Sequence, residues 1–116
     1  MGYKRLFDNY IKIISKSKIL NFFFKNQTRY LILLLALHDY NGEKKIIKNF
    51  KYYYNNIPSF ASSQININHQ IDHAVELGYL IKKKSTYDKR SIIITVSEDT
   101  KKEFDKNFKD ATTFAV

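Results

Sequence analysis

The chain's hydrophobic period changes from helical to strand-like at Gly78, and that switch constrains the fold more than any other feature. Before it, apolar residues recur three and four apart, the spacing of one helix face. After it, Tyr79-Leu80-Ile81 runs into Lys82-Lys83-Lys84, and the β-branched Ile92-Ile93-Ile94-Thr95-Val96 follows closely. Two strands separated only by the turn-like Ser85 to Arg90 pair as a hairpin, because a parallel pair needs a crossover of a dozen or more residues. A helix that ends at a glycine and hands directly to a hairpin is therefore the organising unit.

The rest of the chain reads as helices that cover this unit. Tyr3, Leu6, Phe7, Tyr10, Ile11, Ile13 and Ile14 predict an amphipathic helix to about Leu20, with Asn21 to Asn26 (carrying Phe22, Phe23 and Phe24) as a packed connector. A second helix is expected from Gln27 to Tyr40, stopped by Asn41-Gly42. Its centre, Leu31 to Leu37, is apolar on every face and must be covered all round, by the N-terminal helix or by a second subunit. Lys44 to Tyr54 reads as a third helix with Ile46, Ile47, Phe50 and Tyr53 or Tyr54 inward, before Asn55-Asn56-Ile57-Pro58 breaks the chain.

A fourth helix runs from an N-cap at Ser62 or Ser63 to Leu77, with a narrow apolar stripe of Ile67, Ile71, Ala74 and Val75. Ser97, Glu98 and Asp99 open a last helix, whose apolar face carries Phe104, Phe108 and Ala111. The expected class is mainly α with a small β-hairpin, in one domain over 1–116. Within it, 1–26 form the N-terminal helix and connector, 27–96 the core and 97–116 the C-terminal helix.

Composition narrows the chemistry. Lys and Arg outnumber Asp and Glu by 20 to 11, a formal charge of +9. A polyanionic partner explains such a balance, although a codon bias that accumulates Lys, Asn, Ile and Tyr explains part of it. The absence of cysteine excludes disulfides, thiol catalysis and Cys-based zinc sites. The longest apolar run, Tyr30 to Leu37, is too short for a membrane span, and Asp8, Lys12, Lys16 and Lys18 interrupt any signal-like segment. A cytoplasmic, nucleoid-associated location is expected.

The functional signal lies on the fourth helix and the hairpin. Opposite the apolar stripe, Ser62, Ser63, Gln64, Asn66, Asn68, His69 and Gln70 give a polar face without acid. Amides on a helix can pair bidentately with adenine in the major groove. Lys82, Lys83, Lys84, Lys89 and Arg90 place five cations on one ribbon at the same end, suited to phosphates and to the minor groove.

Other signals weigh less. His69 and His73 are four apart, but the intervening Gln-Ile-Asp lacks the Glu of a zinc protease and no third ligand is evident, so no metal or cofactor is expected. Tyr52, Tyr53 and Tyr54 face three directions on a helix, which favours packing over base stacking. The N-terminal helix carries no Trp on its apolar face and is expected to pack within the molecule or a dimer and not on a membrane. No nucleophile elbow, phosphate loop or carboxylate cluster is present, and an enzyme is not expected.

From Ser62 to Phe104 the sequence resembles the MarR-type winged helix-turn-helix regulators, including their short SarA-like members. The matching features are Asp72 six residues before Gly78, the Asp88-Lys89-Arg90 wing, the strand Ile92 to Val96 and the helix-opening Ser97. The chain departs from the family pattern at Thr100, where Gly is usual, and at Ala74, where a large aliphatic residue is usual. It departs again in the long aromatic segment from Glu43 to Phe60.

The resemblance implies a winged helix-turn-helix with flanking N- and C-terminal helices that form a homodimer. It implies that the Ser63 to Gln70 face enters the major groove of double-stranded DNA while Arg90 reaches the minor groove. The expectation is a sequence-specific transcription regulator. Base contacts would come from Gln64, Asn66, Asn68 and His69, and phosphate contacts from Lys82, Lys83, Lys84 and Lys89, with Ser63 a further DNA-binding residue at the start of the helix. The alternatives are an architectural DNA binder without sequence preference and a winged helix used as a protein-interaction module.

Overall fold

The computed structural model describes residues 2–85 and 90–108. Their order is α1 (Gly2–Lys16), α2 (Lys18–Phe24), α3 (Gln27–Leu37), α4 (Phe50–Asn56), α5 (Gln64–Glu76), β1 (Leu80–Lys84), β2 (Ile92–Val96) and α6 (Glu98–Asn107). The described chain is thus mainly helical with one small antiparallel hairpin, as expected. Several boundaries differ, each for a physical reason.

The first expected helix is two. Ser17 leaves helical geometry and its buried hydroxyl accepts from Leu20 N–H at 3.1 Å, capping a new helix one residue after the old one ends. The Phe triplet therefore lies inside α2 and not in a connector. Phe22 and Phe23 are buried, and Phe24 stacks on Tyr10 of α1 with centroids 5.4 Å apart.

α3 stops at Leu37, three residues before the expected Tyr40. His38 leaves helical geometry and Asp39 adopts a positive φ of 52°. Lys48 closes this end: its side chain is buried and Nζ donates to the Ala36 carbonyl at 2.8 Å, one of the carbonyls a helix leaves orphaned. Burial holds the Lys48 amine below the usual lysine value, an effect that Asp39 partly offsets.

The third expected helix begins six residues late. Residues 44–48 are not helical: Lys45 has a φ of 55°, and the Lys48 carbonyl accepts from Ile94 N–H at 2.7 Å, laying this segment along β2. Helix resumes only when Asn49 caps it through Tyr52 N–H. The three consecutive tyrosines then anchor α4 in three directions. Tyr53 is fully buried and donates to the Ile94 carbonyl at 2.8 Å, Tyr52 donates to the Leu35 carbonyl at 3.3 Å, and Tyr54 donates to Asn68 Oδ1. Their packing role is as the sequence suggested, and burial pushes the Tyr53 phenol far up.

Pro58 then turns the chain, its carbonyl accepting from Ala61 and Ser62 N–H, and Ser63 caps α5 through Asn66 N–H at 3.1 Å. At the other end, Gly78 sits at φ 80°, where Tyr79 N–H reaches back to the Ala74 carbonyl and Gly78 N–H to that of Val75. This doubly bonded left-handed exit is the motif that favours glycine.

The exit delivers Leu80 opposite Val96 and Lys84 opposite Ile92 in the β1–β2 ladder. Thr100 is fully buried and donates to the Tyr79 carbonyl at 2.8 Å while accepting from Ser97 Oγ. A glycine there could not tie the start of α6 to the start of β1 in this way.

α3 lies against α2, α5 and β2, and Leu33, Ala36, Ile71, Leu80 and Ile94 are at the centre of the core. Among the described residues its cover is incomplete, since Tyr30 and Leu34 remain exposed. α1 buries only Ile13 and leaves Tyr3, Phe7 and Ile11 exposed along one side. No described helix is long and apolar enough to cross a membrane.

Candidate nucleic-acid interface

The outward stripe of α5 is set by the positions that its core stripe leaves over. Ile67, Ile71 and Ala74 are buried, so the opposite side falls to Ile65, His69, Asp72 and Glu76, spaced four, three and four apart. Ser63 and Gln64 are also exposed at the N-terminal end. The acid residues are confined to the C-terminal half.

Asn66 does not lie on that stripe, a correction to the expectation that it points outward. It adjoins the buried stripe, and both ends of its amide are engaged within the molecule. Nδ2 donates to Ser62 Oγ at 2.9 Å and to Thr28 Oγ1 at 3.2 Å, while Oδ1 accepts from Gln70 Nε2 at 3.1 Å. Gln70 in turn accepts from Arg29 Nε at 2.7 Å, and the Arg29 guanidinium lies 4.0 Å over the Phe22 ring. This polar chain fixes the first turns of α5 against α3.

Asn68 flanks the stripe on the other side, half-buried, where its Oδ1 takes the Tyr54 hydroxyl. The Ser63 hydroxyl is occupied as the helix cap, although the residue itself is exposed. Gln64 and His69 are the predicted polar residues of the helix that stand outward. His73, exposed one turn after His69, packs edge-on against Phe22, with ring centroids 5.2 Å apart.

On the ribbon, strand alternation divides the cations that the sequence seemed to place together. Lys82 and Lys84 share a face with Leu80, whereas Lys83 lies with Ile81 on the other. All three are exposed. Lys82 leans toward α5, pairing with Asp72 at 3.1 Å and sitting 5.2 Å from the centre of the Phe50 ring. Arg90 is exposed where β2 is approached, and Lys89 falls outside the described residues.

Two apolar groups that the sequence expectation did not include lie at and just before the start of α5. Ile65 is 70% exposed and Phe60, in the turn before α5, is 90% exposed. Ile65 was open to detection, because an isoleucine two residues before Ile67 must project on the side opposite the core stripe. Phe60 carries no comparable periodic signal.

The surface combines a helix held by its polar chain to α3 and free of acid in its first two turns with a ribbon bearing several cations that packs on the same helix. The ribbon can track phosphates, and the helix can present one apolar and two polar groups to base edges. Compared with protein-family models and with curated proteins, the chain matches none.

Proposed function

We propose that the chain is a winged helix-turn-helix protein that binds double-stranded DNA sequence-specifically, as a homodimer, and regulates transcription. One observation carries the reading. α5, whose N-terminal half is exposed and free of acid, packs against β1 of a hairpin whose exposed side chains include Lys83, Lys84 and Arg90. In this reading α4, the turn at 57–63 and α5 form the helix-turn-helix, and the β1–β2 hairpin is the wing.

α5 enters the major groove by its N-terminal end, with Gln64 and His69 as the polar base readers. Lys83 and Lys84 neutralise phosphates. Arg90, with Lys89 next to it in sequence, reaches the adjacent minor groove, where narrow A·T tracts concentrate negative potential. Asn66 and Gln70 act indirectly, by holding α5 at a fixed angle to α3.

The second subunit is supported by the apolar groups that one chain leaves uncovered: Tyr3, Phe7 and Ile11 on α1, and Tyr30 and Leu34 on α3. Burial of such a surface against its two-fold copy gives a self-complementary interface. Two α5 helices then meet successive major grooves about one DNA turn apart.

Salt dependence tests the assignment of roles. Lys83→Ala should weaken binding to all duplexes alike and reduce the slope of log affinity against log salt by about one. Fluorescence anisotropy with labelled duplexes over a salt series measures both quantities. A slope that stayed the same, with affinity unchanged, would remove Lys83 from the interface.

A further inference from the structure

We propose that Ile65 recognises the 5-methyl group of thymine in the major groove, so that an apolar contact favours A·T pairs in the bound site. The proposal rests on the DNA-binding reading above and deepens it. Ile65 contributes little to the core: it is 70% exposed, and the buried stripe of α5 is complete in Ile67, Ile71 and Ala74. It stands in the first turn of α5, directly after Gln64 and four residues before His69, on the one stretch of the helix without acid. Phe60, 90% exposed in the preceding turn, adds a second apolar group to this end.

The chemistry selects the target. Thymine differs from the other bases in the major groove by its C5-methyl group, which apolar side chains can contact. An isoleucine offers no donor or acceptor, so the methyl is the feature it can distinguish. Its β-branch leaves one strongly preferred side-chain rotamer on a helix, so little freedom is lost on contact. The chain from Arg29 through Gln70 and Asn66 to Ser62 and Thr28 holds the helix beneath it. The net charge of +9 and the ribbon lysines supply the complementarity to a polyanion that an isolated apolar group lacks.

The test removes only the methyl. Binding of the full-length protein is measured for an A·T-rich duplex containing thymine and for the same duplex with deoxyuridine in its place, using wild type and Ile65→Ala. The wild type should lose about fourfold in affinity for each methyl contacted, as expected for one buried methyl-sized group. Ile65→Ala should bind both duplexes equally, near the level of wild type on the uracil duplex. Alanine at an exposed helix position preserves the fold, which circular dichroism verifies.

Equal wild-type affinity for the two duplexes would overturn the inference while leaving DNA binding intact. So would full thymine–uracil discrimination by Ile65→Ala, which would assign the effect to DNA shape. Failure of the wild type to bind either duplex, even at low salt, would overturn this inference and the DNA reading together.

Discussion

Asn66 joins three side chains, Thr28, Ser62 and Gln70, at the point where α5 leaves its turn. Thr28 and Ser62 are buried, so removing the amide strands hydroxyls that water cannot readily reach. Asn66→Ala should therefore lower stability by about 1–3 kcal/mol, read as a reduced urea midpoint with an unchanged slope. On the proposed DNA-binding reading, its effect on DNA affinity should be the same for every sequence, because the amide is engaged within the molecule and positions the helix. A variant of full stability that lost affinity for one sequence only would return Asn66 to the base-reading set. The residue type was legible as polar and groove-suited, but its neighbours were not. They lie on α3, which sequence spacing along α5 does not reveal.

At the scale of elements, the stretch from Ser63 to Ser97 was the most readable because each boundary carries a local signal. Ser63 caps, Gly78 exits in the left-handed region, the β-branched run forms β2, and Ser97 caps again. Gly78→Ala should cost about 1 kcal/mol, and Gly78→Asn less, in chemical denaturation. A Cβ at this position meets no atom within 4 Å, so the cost is conformational and not steric. An alanine variant as stable as wild type would show that the exit does not constrain the hairpin.

The segment at 44–48 was misread for the opposite reason. Ile46, Ile47 and Phe50 suit a helix locally, but the Lys48 carbonyl is taken by Ile94 and its amine by Ala36. Those partners are distant in sequence and override propensity. The break at Ser17 was likewise hidden, because a serine within a long amphipathic pattern is an ordinary surface residue unless its hydroxyl is needed as a cap.

The molecule as a whole is elongated, 50 × 29 × 24 Å, with a radius of gyration of 14.8 Å against roughly 13 Å for a compact chain of this length. α1 contributes to this shape, packing chiefly on α2 and leaving its apolar side uncovered. If that side is the subunit interface, Phe7→Lys should shift the protein to monomer in sedimentation equilibrium without loss of helix content. A variant that stayed dimeric would place the interface elsewhere.

If two copies of α5 read a two-fold DNA site, binders selected from random double-stranded DNA at near-physiological salt will share it. Enrichment of a two-fold symmetric, A·T-rich motif with half-sites about one helical turn apart is the predicted result. Recovery of DNA without an enriched motif would contradict sequence-specific reading, and recovery of none would contradict DNA binding itself.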